Sequence, residues 1–286
     1  MESFETYRPY LFSIAYRMLG SAMDAEDMVQ ETYIRYQTAR PQTIHSLKAY
    51  LTTILVRLCM DQLQLARRKR ELYVGPWLPE PILTEERPEA ANPETRVETE
   101  ESVSLAFLIL LEKLQPFERA VFLLREVFEY EFGEIAGILE KTETACRRTF
   151  SRAKQHLVAQ RTPFKPAPET HRQLLSSFLE AVQSGEMITL TNLLSDNVIL
   201  WSDGGGKART ATLLPIYGRE KVARLSLGSK HFWPENIHFE IREVNGQVAL
   251  VGRVNGFAWN VIDMDIEHEQ IQVIRIIANP EKLTRV

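Results

Sequence analysis

Proline and acid divide this chain before any helix or strand is assigned. Residues 71–104 hold nine glutamates, two basic residues and Pro76, Pro79, Pro81, Pro88 and Pro93. A segment so acidic and so rich in proline has too little apolar surface to offset the entropy of ordering it, and it reads as a linker. A second break, Thr162-Pro163-Phe164-Lys165-Pro166-Ala167-Pro168, ends any helix that precedes it. The 286 residues then fall into segments 1–70, 71–104, 105–161 and 162–286, enough for two or three domains. An apolar share of 44% with 25% charged residues excludes whole-chain disorder and fibrous folds. A net charge of -4 excludes a uniformly basic nucleic-acid binder. It leaves local basic patches open, because a partner feels the local field rather than the total.

Periodicity assigns a class to each segment. In the first, Leu11, Ile14, Ala15 and Met18 share a helical face, and Gly20-Ser21 interrupts it. Ala25, Met28, Val29, Thr32, Tyr33 and Tyr36 form the next stripe. Ser46, an N-cap type, precedes a long helix carrying Leu47, Tyr50, Leu51, Ile54, Leu55 and Leu58 on one face. In the third segment Pro116 opens a helix. A short helix over Phe132–Leu139, a tight turn and a longer basic helix from about Glu143 to Gln160 follow, which is the helix-turn-helix pattern. The last segment begins helical over 169–194 and then alternates, with Asn245-Gly246 and Asn255-Gly256 as hairpin turns. Helices followed by an antiparallel sheet make an α+β domain.

No apolar run reaches the ~18 residues that span a bilayer. The N-terminal residues lack a signal-peptide pattern. Cys59 and Cys146 stand alone, so neither a disulfide framework nor a zinc site is expected. A reducing, cytoplasmic setting fits these features, and no membrane, metal or cofactor motif is found.

Three clusters carry candidate chemistry. Asp24, Asp27 and Glu31, flanked by Glu26 and Gln30, lie opposite an apolar stripe; they are either a solvated face or an acidic docking surface. Arg67-Arg68-Lys69-Arg70 closes the long helix, where basic residues suit the helix dipole. Four in a row exceed that need, and with Lys48 and Arg57 they form a candidate phosphate-contacting surface. The longer helix of the helix-turn-helix presents Thr144, Arg147, Arg148, Ser151, Arg152 and Lys154, with Phe150, Ala153 and Leu157 toward the core. Arginines on such a helix can pair with guanine in the major groove.

These pieces occur in one order, and together they resemble a known family. Asp24-Ala25-Glu26-Asp27-Met28-Val29-Gln30-Glu31-Thr32 resembles the region 2 helix of bacterial RNA polymerase sigma factors. Lys48-Ala49-Tyr50-Leu51 through Asp61 to Arg67-Arg68 is similar to the segment that melts and reads the -10 element. Residues 105–158, ending in Ser151-Arg152-Ala153-Lys154, resemble region 4, which reads the -35 element. Region 3 is replaced by the acidic linker, as in extracytoplasmic-function sigma factors. Val74-Gly75-Pro76-Trp77-Leu78-Pro79-Glu80-Pro81, Asp203-Gly204-Gly205-Gly206-Lys207 and Asn279-Pro280-Glu281-Lys282-Leu283 resemble the sigma-J-like subgroup with a C-terminal SnoaL-like (NTF2-like) extension.

The resemblance implies a multidomain fold: a region 2 helical bundle, a region 4 helix-turn-helix and an α+β SnoaL-like cone. It implies binding to core RNA polymerase, through the β′ clamp coiled coil and the β subunit, and to promoter DNA at -10 and -35. It implies regulation by the extension, acting on the sigma core within the same chain, with Trp77, Leu78, Pro79, Asp203, Gly204, Gly205, Gly206, Lys207, Asn279, Pro280, Lys282 and Leu283 as regulatory residues. The -10 pocket is placed on the loop Ala39–Ser46. The chain departs from the family pattern at Glu140, where glycine usually follows the leucine of the region 4 turn. If that turn needs φ > 0, glutamate costs about 1 kcal/mol.

The motif residues allow further readings. An exposed tryptophan in a tether is costly for solubility, so Trp77 and Leu78 are expected to dock, on the C-terminal domain or on the first helical domain. Three glycines suit a tight loop or close backbone approach more than a phosphate cradle, since no Gly-Lys-Ser/Thr follows. Lys207 either pairs with the acidic linker or stays solvated. Asp196, Asp203, His231, His238, Asp263, Asp265 and His268 are the acid/base groups available to a rival enzyme reading, and their spacing assembles no dyad. A pocket in the last domain without aligned acid/base groups would instead suit a small-molecule sensor.

Overall fold

The computed structural model describes residues 3–39, 44, 46–84, 104–158 and 168–286. It separates into two compact units, residues 1–71 with 107–161 and residues 72–106 with 162–286. The stretch read as a linker thus belongs in part with the C-terminal unit.

In the helical unit, α1 spans Phe4–Leu19, α2 Ala22–Ala39 and α3 Leu47–Glu71. Gly20 ends α1 with φ 68°. Ser21 caps α2 by accepting from Asp24 N at 3.1 Å, and Ser46 caps α3 by accepting from Ala49 N at 3.3 Å. The apolar stripes meet as the periodicity requires: Leu11, Ile14 and Met18 are buried with Ala25 and Val29 of α2 and Leu51 and Leu55 of α3.

The second helical part has α4 (Leu105–Leu111), α5 (Pro116–Phe122), α6 (Phe132–Leu139) and α7 (Glu143–Val158). Helix α5 opens on a capping box, Glu118 accepting from Gln115 N at 3.1 Å, and passes into a π-helical turn over Leu123–Val127. The two helical parts are tied together. Tyr10 donates to Tyr130 at 2.9 Å, and Tyr130 donates to Thr52 at 3.1 Å. Arg119, 3% exposed, donates to Met18 O at 2.6 Å and to Glu112 Oε1 at 2.7 Å.

The C-terminal unit follows with α8 (Pro168–Ser184), α9 (Met187–Leu193), β1 (Leu194–Asp203), β2 (Ile216–Tyr217), α10 (Arg219–Ser229), β3 (His238–Val244), β4 (Gln247–Val254), β5 (Phe257–Glu267) and β6 (Gln270–Ile277). The sheet order is β2-β1-β6-β5-β4-β3. The expectation of an antiparallel sheet needs correcting: β1 pairs with β6 in parallel, so the sheet is mixed. Strand β1 and helix α10 interrupt the pattern that sequence alternation shows only from Ile237 onward. One face of the sheet packs on α8, α9 and α10 through Phe178, Leu190, Leu200, Val222, Ile262 and Ile274.

Both Asn-Gly turns form as read, with φ 52° and 71° at Asn245-Gly246 and 52° and 85° at Asn255-Gly256. A third hairpin, β5–β6, turns on His268-Glu269 at φ 51° and 59°, with no glycine to announce it. Both side chains are exposed. Replacing the pair by Asn-Gly removes left-handed strain of about 1 kcal/mol, and the expected result is a rise in Tm of about 2–4 °C in a thermal melt. An unchanged or lower Tm would show that the turn is not strained.

Candidate nucleic-acid interface and linker clasp

Helix α7 presents its sides as its residue spacing dictates. Cys146, Thr149, Ala153 and Leu157 are buried, and Phe150 stacks with Phe122 and meets Phe132 edge-on. Thr142 caps the helix, accepting from Ala145 N at 3.2 Å. All six candidate contacts on α7 are exposed, but they divide into two sets. Thr144, Arg148 and Ser151 lie at i, i+4 and i+7 on the outward row, with Arg147 beside them. Arg147 is held by Glu143, 2.9 Å from Nε, and lies 4.6 Å from the centre of the Phe132 ring. Arg152 and Lys154 turn back toward the preceding helices. Arg152 Nε donates at 2.7 Å to Glu118, and Lys154 Nζ to Glu126 at 3.2 Å. Spacing alone could not separate them, because their partners lie 34 and 28 residues away.

Arg57, read as a phosphate contact, is occupied inside the unit. Its Nε donates to Ile138 O at 3.1 Å, and it pairs with Glu140 at 2.9 Å. Glu140 takes the left-handed conformation that the family pattern reserves for glycine, with φ 52° and ψ 47° as the C-cap of α6. The ion pair to Arg57 is what glutamate adds there. Lys48 lies 4.3 Å from the centre of the Tyr10 ring. The side chains of Arg67, Arg68 and Arg70, and residues 40–43 and 45 of the loop expected to hold the -10 pocket, lie outside the described residues.

The acidic helix α2 is less uniform than its spacing implies. Asp24 faces α3, where Gln62 donates to it at 3.2 Å, and Glu26 pairs with Arg8 at 3.3 Å. Glu31 pairs with Arg35 at 2.9 Å and stays 39% exposed. The outward face is Met23, Asp27, Gln30 and Ile34 at i, i+4, i+7 and i+11, all exposed. The two apolar members of that face were not foreseen.

In the C-terminal unit, the three motifs meet on one carboxylate, Leu78 lying 125 residues and Lys282 79 residues from Asp203 in sequence. Asp203, fully buried at the end of β1, accepts from Tyr73 OH at 2.5 Å and Gly205 N at 3.1 Å on Oδ1. On Oδ2 it accepts from Leu78 N at 2.8 Å and Lys282 Nζ at 2.7 Å. Four donors satisfy the carboxylate's capacity, and Lys282 balances its charge. Lys282 also donates to Leu78 O at 2.5 Å and lies 4.2 Å from the centre of the Trp77 ring. Asn279 donates to Tyr73 OH at 2.9 Å and caps the short helical turn that starts at Pro280. Leu283 is buried. Burial, then the hydrogen bond to Asp203 and its charge, pushes the Tyr73 phenol above its usual range.

The glycines serve close approach. A Cβ on Gly204 would lie 2.4 Å from the Ala211 Cβ, and one on Gly205 would lie 2.4 Å from Asn279 Nδ2. Gly206, at φ 73°, faces Val74. Lys207 pairs with Glu281 rather than with the acidic linker. Leu78, Pro79, Glu80, Pro81, Ile82 and Leu83 are buried, and Leu83 bridges to Val244 on the edge strand β3. Asn245 clamps this segment, its Oδ1 accepting from Ile82 N at 3.0 Å. Sequence reasoning missed Tyr73, whose one signal was an aromatic next to the Val74–Pro81 motif, and read Asn245 only as a turn residue.

The seven acid/base candidates are dispersed. Asp196, His231, His238 and His268 are exposed, Asp203 is held in the clasp, and Asp263 and Asp265 both pair with Arg275.

Family models for Sigma-70 region 2 and for Sigma-70 region 4 match residues 3–70 and 104–157. The chain is 33% identical over 295 residues to the ECF RNA polymerase sigma factor SigJ of Mycobacterium tuberculosis, covering 99% of this chain and 93% of that protein. It is 29% identical to the probable ECF RNA polymerase sigma factor SigI of the same organism, covering 98% of this chain and 93% of that one. The crystal structure of the Mycobacterium tuberculosis extracytoplasmic function sigma factor SigJ superposes with a TM-score of 0.76 at 30% identity, covering 99% of this chain and 97% of that one.

Proposed function

This chain belongs to the ECF family of RNA polymerase sigma factors, and on that premise we propose how its surfaces divide the work of initiation. As a sigma factor it binds core RNA polymerase and directs it to promoter DNA. The α2 face of Met23, Asp27, Gln30, Glu31 and Ile34 docks on the β′ clamp coiled coil, its acids steering the encounter and its apolar pair giving it area. The N-terminal part of α3 and the basic run Arg67–Arg70 engage the -10 element. Helix α7 enters the major groove at -35 with Thr144, Arg147, Arg148 and Ser151. The observation that carries the promoter reading is the exposed Thr144–Arg148–Ser151 row on the second helix of a helix-turn-helix. Its place of action is the cytoplasm, where the polymerase works.

Promoter engagement has a geometric requirement. Elements ~25 base pairs apart are separated by about 85 Å of duplex at ~3.4 Å per pair. A compact unit of this size has a radius of gyration of about 14 Å. The Arg57–Glu140 and Tyr10–Tyr130–Thr52 contacts therefore belong to a closed state that opens on the promoter. The Asp203 clasp, which grips the segment joining the two helical parts, is the device by which the C-terminal domain acts on that equilibrium.

Promoter-dependent transcription in vitro with core polymerase tests the reading. The Arg148→Ala variant is expected to lose about 5- to 150-fold of -35-dependent initiation, the value of one base contact, and to relax sequence preference there. Arg152→Ala should instead lower the stability of the helical unit without changing -35 choice. A full chain that initiates at no promoter of a library would overturn the assignment.

A further inference from the structure

We infer that Asn245-Gly246 is a site of spontaneous deamidation that the docked linker holds closed, so that lasting release of the linker is recorded in the covalent structure of the chain. Asparagine is chemically labile, and most so before glycine, which has no side chain to obstruct attack on its neighbour. The glycine backbone nitrogen attacks the asparagine Cγ. The bond from Cγ to Nδ2 breaks, and the proton of the attacking amide leaves with that nitrogen as ammonia. A cyclic succinimide remains, and water opens it to aspartate or to the β-linked isoaspartate. Water is the one co-reactant.

Two such pairs stand in matched settings. Asn245-Gly246 joins β3 to β4 and Asn255-Gly256 joins β4 to β5, each as a two-residue turn with positive φ at both positions. The φ of both asparagines is 52°. Their surroundings differ. Asn255 is exposed, its Oδ1 accepting from Asn236 Nδ2 at 2.5 Å, and a Cβ on Gly256 would meet no atom within 4 Å. Asn245 is 1% exposed and is bonded to the linker on both sides. Its Oδ1 accepts from Ile82 N at 3.0 Å, and its N donates to Ile82 O at 2.9 Å. Gly246 N donates to Thr84 Oγ1 at 2.7 Å.

Each of these features blocks one requirement of the reaction. Gly246 N is a poor nucleophile while its N–H is given to Thr84. The Asn245 carboxamide cannot turn its Cγ toward that nitrogen while its Oδ1 holds Ile82. Burial keeps away the water that opens the ring. The two bonds come from linker residues Ile82 and Thr84, and Leu83 between them bridges to Val244, so undocking removes the protection in one step. The product then opposes redocking. Isoaspartate carries the chain through its side-chain carbon and adds a methylene to a turn that Val244 and Gln247 close with two residues. Turn length sets hairpin register, so the groups that grip Ile82 are displaced. This second half of the inference rests on the regulatory role proposed for the clasp; the guarding of Asn245 does not.

The test uses the full chain without polymerase, so its failure is distinct from a failure of the sigma reading. The protein is aged at mildly alkaline pH, and peptide mass mapping with isoaspartyl methyltransferase labelling follows both asparagines. In the parent, Asn255 is expected to convert at least tenfold faster than Asn245. Thr84→Val keeps the shape of the side chain and removes the acceptor of Gly246 N; it should raise conversion of Asn245 at least threefold and leave Asn255 unchanged. Asp203→Ala, which opens the clasp, should raise it at least tenfold, again with Asn255 unchanged. A rise at both asparagines in that variant reports unfolding, and Thr84→Val then decides alone. Equal rates at the two sites in the parent, no conversion at either, or no acceleration of Asn245 in Thr84→Val overturns the guarded site. In aged Thr84→Val enriched in isoaspartate at position 245, the Ile82 amide should exchange at least tenfold faster than in the fresh variant. Unchanged exchange overturns the covalent record.

Discussion

Replacing Asp203 by alanine will lower the stability of the C-terminal unit by about 3–5 kcal/mol, among the largest effects of any single change in this protein. The side chain is fully buried and accepts from Tyr73, Gly205, Leu78 and Lys282. Truncation leaves the Lys282 ammonium, 11% exposed, without its counter-ion and the Leu78 amide without an acceptor. The clasp should open with the loss, so that the Leu78 and Ile82 amides exchange at least 100-fold faster than in the parent. Adding Lys282→Met to Asp203→Ala should restore part of the stability, because the uncompensated charge goes with it, and the double-mutant cycle should show a coupling above about 1 kcal/mol. Additive losses would mean that the two residues do not act as a pair.

Reversing charge on α2 will remove polymerase binding and leave the fold intact. Asp27 is exposed, and Glu31 is 39% exposed with one surface partner, so Asp27→Lys with Glu31→Lys removes little internal stabilisation. On a docking face the same change sets two cations against a basic partner, which costs several kcal/mol. At least a 100-fold loss of affinity for core polymerase is expected in a binding titration, with thermal melting within a few degrees of the parent. Asp24→Lys is the contrasting variant. Asp24 bonds to Gln62 of α3, so its replacement should lower the melting temperature and reduce binding only as the fold loosens. Unchanged affinity in the double reversal would move the docking surface elsewhere.

Local rules made much of the architecture legible. The capping residue Ser46, the stripes of α1 to α3, the buried row of α7 and the Asn-Gly turns depend on neighbours within a few residues, and spacing reports such neighbours directly. Where a decision depends on a residue far along the chain, spacing is silent. Nothing local distinguishes Arg148, which stays on the outward row, from Arg152, which is drawn to Glu118, or assigns Arg57 to Glu140. The parallel pairing of β1 with β6 lacks its own signal for the same reason, whereas the His268-Glu269 turn is local and goes unmarked because it holds no glycine.

By itself the sequence determined the order of the segments, their secondary structure class, the family and the residue types available at each surface. Those follow from periodicity, composition and motif order, which are properties of the chain read in one dimension. Tertiary structure alone decided that Tyr73, Leu78, Asp203, Asn279 and Lys282 form one site. A buried carboxylate needs donors from wherever the fold can supply them, and here they come from segments up to 130 residues away.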